Sequence, residues 1–133
     1  MSHYSTIETE FRDEACLIQT LEELEPGWVI ERHSLPVPLY GFRGDLRPER
    51  AHLVIRRNYV GPSSNDIGFI KEGNSYGAIV SDFDRTRHGS EWLGRLTQLY
   101  AKNKVLKQMK MSGWRLGGQT TKSDGTIRLV LEV

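Results

Sequence analysis

The closing stretch SEWLGRLTQLYAKNKVLKQMKMSGWRLGGQTTKSDGTIRLVLEV, residues 90–133, decides the fold class. Trp92, Leu96, Leu99, Leu106 and Met109, joined by Leu93 and Tyr100, recur at helical spacing and make one apolar face. Arg95, Lys102, Lys104, Lys107 and Lys110 take the opposite arc. Ser90 is positioned to cap this helix, and Gly113-Trp114 to stop it, glycine being the residue that tolerates a left-handed turn. At 1.5 Å per residue the helix spans about 30 Å. After it, residues 115–121 and 126–133 read as a hairpin turning at Ser123-Asp124-Gly125, with Ile127, Leu129 and Leu131 alternating against Arg128, Val130 and Glu132.

Upstream of that block the same tests pick out more elements. Tyr4 to Phe11 reads as a strand with Ile7, Thr9 and Phe11 on one side. Asp13 is a good N-cap for a helix whose stripe is Ala15, Leu17, Ile18, Leu21 and Leu24, ended by Pro26-Gly27. Cys16 lies beside that stripe as a small packing residue. Trp28 to His33 is a second strand. Ser34 to Arg50 reads as an excursion loop, because Pro36, Pro38, Gly41, Gly44 and Pro48 interrupt any period. Leu53-Val54-Ile55 is a central strand ending at Arg56-Arg57, followed by a loop at Gly61-Pro62-Ser63-Ser64-Asn65. Residues 67–71 and 76–83 form two strands around the turn Glu72-Gly73-Asn74-Ser75. The order βα, strands, then αββ predicts one α+β domain over residues 1–133. Its sheet, antiparallel or mixed, has about six or seven strands, with two helices on one face, loosely ferredoxin-like.

Composition bounds the function. The chain has 133 residues, one cysteine and a net charge of +1. That argues against an internal disulfide, a thiolate metal site or a strongly polyanion-binding protein. The balance conceals a split: residues 1–25 carry a net −6 and the remainder +7. No apolar run reaches bilayer length and the first residues lack a secretion signal, so a cytoplasmic protein without membrane contact is expected.

Short motifs recur in the order of a known family. Asp66-Ile67-Gly68-Phe69, Tyr76, Val80 and Asp82 resemble its middle. Leu96-Thr97-Gln98-Leu99-Tyr100-Ala101, Val105-Leu106, Gly113, Asp124-Gly125, Ile127 and Leu129-Val130-Leu131 resemble its end, and Met1-Ser2-His3-Tyr4 with Thr6-Ile7 its start. The chain is thus similar to a conserved open-reading-frame family of plastids and cyanobacteria, the hypothetical chloroplast reading frame 35 type, or domain of unknown function 1257. That resemblance carries over no catalytic residue. Ser34 to Pro48 and Gly61 to Asn65 depart from the family's pattern.

The chemistry-bearing residues are sparse. His3, His33, His52 and His88 have no metal-ligand spacing, with His33 and His52 the best available pair. No nucleophile elbow, phosphate-binding glycine loop or dinucleotide fingerprint is present. Asp82 and Asp84, near Arg85, Arg87 and His88, could share a strand face as a carboxylate pair. No cofactor or metal is expected. The leading expectation is a non-enzymatic accessory or adaptor domain that binds a protein partner through the 34–50 loop, where Leu35, Val37, Leu39, Tyr40 and Phe42 are expected to be exposed. Its contact residues would be Leu39, Tyr40, Phe42, Arg43, Arg47, Arg50, Arg56 and Arg57. The alternative is a nucleic-acid-binding module using the same arginines with Tyr40, Phe42 and Tyr59 for stacking.

Overall fold

A computed structural model describes residues 3–113 and 115–132; the expectations placed on Met1, Ser2, Trp114 and Val133, and on the side chains of Leu131 and Glu132, lie outside the described residues. Five strands form one antiparallel sheet: β1 (Tyr4–Glu8), β2 (Ile30–Tyr40), β3 (Leu46–Ile55), β4 (Ile67–Glu72) and β5 (Ser75–Ser81). Its order is β1-β5-β4-β3-β2, a meander from β2 to β5 with the first strand laid beside the last. The closing strands β6 (Arg115–Thr121) and β7 (Ile127–Glu132) pair with each other as a separate two-stranded sheet. The α+β class and the single layer of helices are as expected, with the seven strands divided between two sheets.

Helices α1 (Glu14–Leu24) and α4 (Ser90–Ser112) cover one face of the large sheet. The main core joins Leu17, Leu21, Trp92, Leu96 and Tyr100 of the helices to Leu53, Ile55, Ile67, Phe69, Ala78 and Val80 of the strands. Asp13 caps α1 as the sequence indicates, accepting from the Cys16 amide at 3.0 Å. Ala15 is exposed while Cys16 and Thr20 are buried, so the buried stripe is rotated slightly from the expected one. Ser90 does not cap α4; Gly89 holds that position with no side chain to offer. The helix ends at Gly113, which is left-handed (φ +75°) and returns its N–H to the Met109 carbonyl. Two single-turn helices, α2 (Arg57–Val60) and α3 (Arg85–His88), were not legible as periodicity, which needs more than four residues to register.

The segment expected to be a loop is mostly sheet. β2 runs through Pro36 and Pro38 to Tyr40, and the chain returns along β3 from Leu46, leaving only residues 41–45 as the turn. Proline is tolerated in β2 because it is an edge strand, where an amide lost to solvent breaks no ladder. Register shifts conceal the period. Arg32 pairs Leu53, yet the next pair is Val37 with Ala51. These irregularities swing the far half of the hairpin over the helix-free face. There Leu39 and Ala51 join Tyr4, Val54 and Ile79 in a second buried cluster with Val37 and Ile70 at its margin. They press on β4 at Gly68, where an added Cβ would lie 2.5 Å from the Ala51 Cβ and 3.1 Å from a Leu39 methyl. Only glycine leaves room for that approach.

Candidate partner-binding site

The turn of the β2–β3 hairpin is held against the end of β3 by two consecutive buried polar residues, Asn65 and Asp66, immediately before β4. Both are fully buried. Asp66 Oδ2 accepts from the Tyr40 amide at 2.7 Å and from Arg56 Nη1 at 2.8 Å, and Oδ1 from the Arg57 amide at 2.7 Å. Its carbonyl accepts from the Tyr4 hydroxyl at 2.9 Å. Asn65 Oδ1 accepts from the Phe42 amide at 2.8 Å, while its Nδ2 donates to Ser81 Oγ and Asp84 Oδ2. The buried Asp84 also accepts from the Ser81 hydroxyl at 2.7 Å and the Asn65 amide at 3.0 Å. A buried carboxyl needs polar partners: Asp66 engages both of its oxygens, and Asp84 gathers its bonds on Oδ2. Together they tie β1, β3, β5 and the hairpin turn to one point.

Arg56 extends the network outward. Beyond Asp66 it grips Glu31 with Nε and Nη2 at 2.8 and 2.9 Å. Those bonds hold the Glu31 carboxyl below its usual range and the Arg56 guanidinium above its own. Burial, reinforced by the Asp66 charge, pushes the Tyr4 phenol well above its ordinary value, so it remains a donor.

The eight sequence-expected contact residues fall into three groups. Leu39 is fully buried in the second cluster, which overturns its expected exposure; the bulged hairpin turns it inward. Arg56 and Arg57 belong to the anchor that holds the turn, Arg57 donating to the Phe42 carbonyl at 2.9 Å, and Arg47 sits between Asp45 at 3.5 Å and Glu49 at 3.9 Å. The remaining four stand on the arm. Tyr40 is 40 % exposed with the Arg56 guanidinium over its ring, and half-buried Phe42 is covered by Arg43. Arg43 and Arg50 are exposed and have no ion pair among the described residues. Sequence reasoning passed over Leu46, 63 % exposed, and over Asn65 and Asp66, whose signal was two polar residues directly ahead of an apolar strand.

The other candidate chemistries separate in space. β5 ends at Ser81, so Asp82 and Asp84 share no strand face: Asp82 is exposed, 3.8 Å from Arg85, and Asp84 is inside. His33 contacts Glu31, and His52 Nδ1 accepts from the Lys71 amide. No group of three or more His, Cys, Asp or Glu side chains among the described residues could hold a metal ion. Burial pushes the Cys16 thiol up, away from nucleophilic character. Among the described residues no helix is long and apolar enough to cross a membrane.

Comparison with known proteins gives the same lineage at two levels. A curated relative from Guillardia theta, "Uncharacterized protein ycf35", is 31 % identical over 135 aligned residues, covering 99 % of this chain and 97 % of the relative. A protein of the same title from Pyropia yezoensis is 24 % identical over the same span. No solved structure matches. The family described as "Protein of unknown function (DUF1257)" matches residues 20–130, from within α1 into β7, and the chain belongs to it.

Proposed function

We propose that the chain is a non-catalytic accessory domain that captures a protein partner with the arm of its β2–β3 hairpin. One observation carries this reading. Asn65 and Asp66 immobilise the hairpin at its turn, while Leu35 (78 % exposed), Tyr40 and Leu46 stand in solvent on the same hairpin as exposed Arg43 and Arg50. Arms already ordered in the free protein lose little further entropy on binding. Aromatic rings and arginines are the residue types that concentrate binding energy at interfaces. The fitting partner is a protein surface with an apolar centre and carboxylates at its rim.

The nucleic-acid alternative needs a freely presented guanidinium cluster. Arg47, Arg56 and Arg57 are engaged within the molecule, which leaves Arg43 and Arg50. The protein-partner reading uses the exposed apolar side chains that nucleic-acid binding would leave idle.

The test is affinity capture from the native host with tagged wild-type protein and the double variant Tyr40→Ala/Leu46→Asp, with and without nuclease. Surface changes alter stability by about 0.5 kcal/mol or less and loss of the Arg56–Tyr40 contact adds about 0.5–1 kcal/mol, so the variant stays folded with a slightly lower melting temperature while losing a protein that the wild type retains. Equal capture by both chains refutes the arm as the contact. Loss of capture on nuclease treatment transfers the reading to nucleic acid.

A further inference from the structure

At the opposite end of β5 from the β4–β5 turn, α3 and α4 meet at a sharp corner around Gly89. A groove of about 460 Å³ opens there, lined by Arg85, Arg87, Ser90, Glu91, Trp92 and Arg95, among others. We propose that it binds a phosphate dianion, either free or as the monoester of a small metabolite.

Three guanidinium groups face one carboxylate in this groove. Arg87 and Arg95 have no ion pair among the described residues, and Arg85 has only a 3.8 Å contact with exposed Asp82. Both unpaired arginines help to lower the pKa of His88, after burial as the main cause, so their fields converge on the corner. A planar guanidinium offers paired N–H groups that match two oxygens of a phosphate.

The backbone adds to this. α4 is 23 residues long and begins inside the groove without a side-chain cap. The Leu93 amide bonds the Gly89 carbonyl, and the amides before it precede the first such bond. A long helix presents partial positive charge at this end. Trp92, which contributes to the groove and is 1 % exposed, has an indole N–H without a hydrogen-bond partner among the described residues. The adjacent His88, 6 % exposed, likewise has an unpartnered Nδ1. Buried polar atoms without partners are uncommon, and two lie at this corner.

The corner also has a local cause. An added Cβ at Gly89 would lie 2.4 Å from the Arg85 carbonyl oxygen, so only glycine lets α3 fold back this closely. That approach sets Arg85 and Arg87 beside the start of α4 and within reach of Arg95. Glu91 opposes an anion and thereby supplies a test of opposite sign.

The experiment is a titration of ¹⁵N-labelled protein with inorganic phosphate, with glycerol 3-phosphate, and with sodium chloride at matched ionic strength. Saturating shifts at the Ser90 and Glu91 amides and at Arg95 Nε are expected with a phosphate and not with chloride. Saturation by inorganic phosphate marks a free-anion site, and saturation by the ester alone marks a metabolite site. Arg87→Gln and Arg95→Gln should each raise Kd by about tenfold or more, the loss of one charge-assisted hydrogen bond. Glu91→Gln should lower Kd, and it keeps every guanidinium, so it remains decisive if an arginine variant misfolds. Lys71→Gln beside the β4–β5 turn, at the other end of β5, should leave Kd unchanged. Linear, unsaturating shifts, equal shifts with chloride, or indifference to both arginine substitutions would overturn the proposal.

Discussion

Asp66 shows how much of the molecule rests on single atoms. Each of its two oxygens accepts from a backbone amide, Tyr40 on one side and Arg57 on the other. In Asp66→Asn one of those oxygens becomes an NH₂ group and meets a donor with a donor, while Arg56 loses a buried partner. Urea unfolding should record a loss of about 3–5 kcal/mol, as when one member of a buried ion pair is removed. A loss below 1 kcal/mol would mean that Asp66 does not anchor the hairpin turn. His88 gives a second prediction at this scale. It packs against Trp28 and Trp92 at 5.3 and 5.1 Å, and burial holds its pKa below the ordinary 6.5 despite Glu25 and Asp84 nearby, with Arg87 and Arg95 adding to the depression. The unfolded chain therefore takes up the proton first, and stability falls as pH drops below 6.5 towards the folded-state value. His88→Leu should flatten that slope between pH 7 and 5. An unchanged slope would place the titration elsewhere.

At the scale of elements, Asp13 joins the two long helices. It caps α1 and accepts from Lys107 at 2.7 Å and Lys104 at 3.2 Å on α4. The Lys107 bond first, and the Cys16 amide second, lower its pKa to about 2 from 3.8. Its contribution is complete above pH 3.8 and disappears as pH falls towards 2. The lysines are half exposed, so screening leaves the cap as the larger part: Asp13→Ala should cost about 1–2 kcal/mol and Asp13→Asn less, because asparagine still caps. Equal losses would assign the effect to the lysine pairs instead. Elements of this kind were legible because their cues are local. The Asp13 cap, the Gly113 stop and the Leu53-Val54-Ile55 run each sit within a few residues of what they determine. The β2–β3 arm was not, because its bulges break period two at the Arg32–Val37 step and its prolines imitate a loop. Leu39 reads as exposed in a loop and is buried in fact, through contact with a glycine 29 positions away in sequence that no local pattern reveals.

At the scale of the whole molecule, stability is divided unevenly. The five-stranded sheet has α1 and α4 on one face and the folded-over hairpin on the other. β6 and β7 make a two-stranded sheet against α4, with a groove of about 330 Å³ between them lined by Ala101, Val105, Ile127 and Leu129. Two-stranded sheets are marginal by themselves. Amide exchange should therefore release β6 and β7 well before β3, β4 and β5, by roughly 2 kcal/mol or more in opening free energy. Uniform protection across all seven strands would contradict this division. The strand order has a further consequence, concerning time. β1 closes one edge of the sheet by pairing Tyr4 with Ser81, so it leaves the ribosome with no strand to join until β5 follows it. Until then β1 stays unpaired, and the apolar stripe of α1 stays open longer still, until α4 brings Trp92, Leu96 and Tyr100 to it; long loops must close before any contact rewards them. The growing chain is consequently most prone to association before residues 75–112 have emerged, with β1 latching onto β5 first and α4 closing over α1 afterwards.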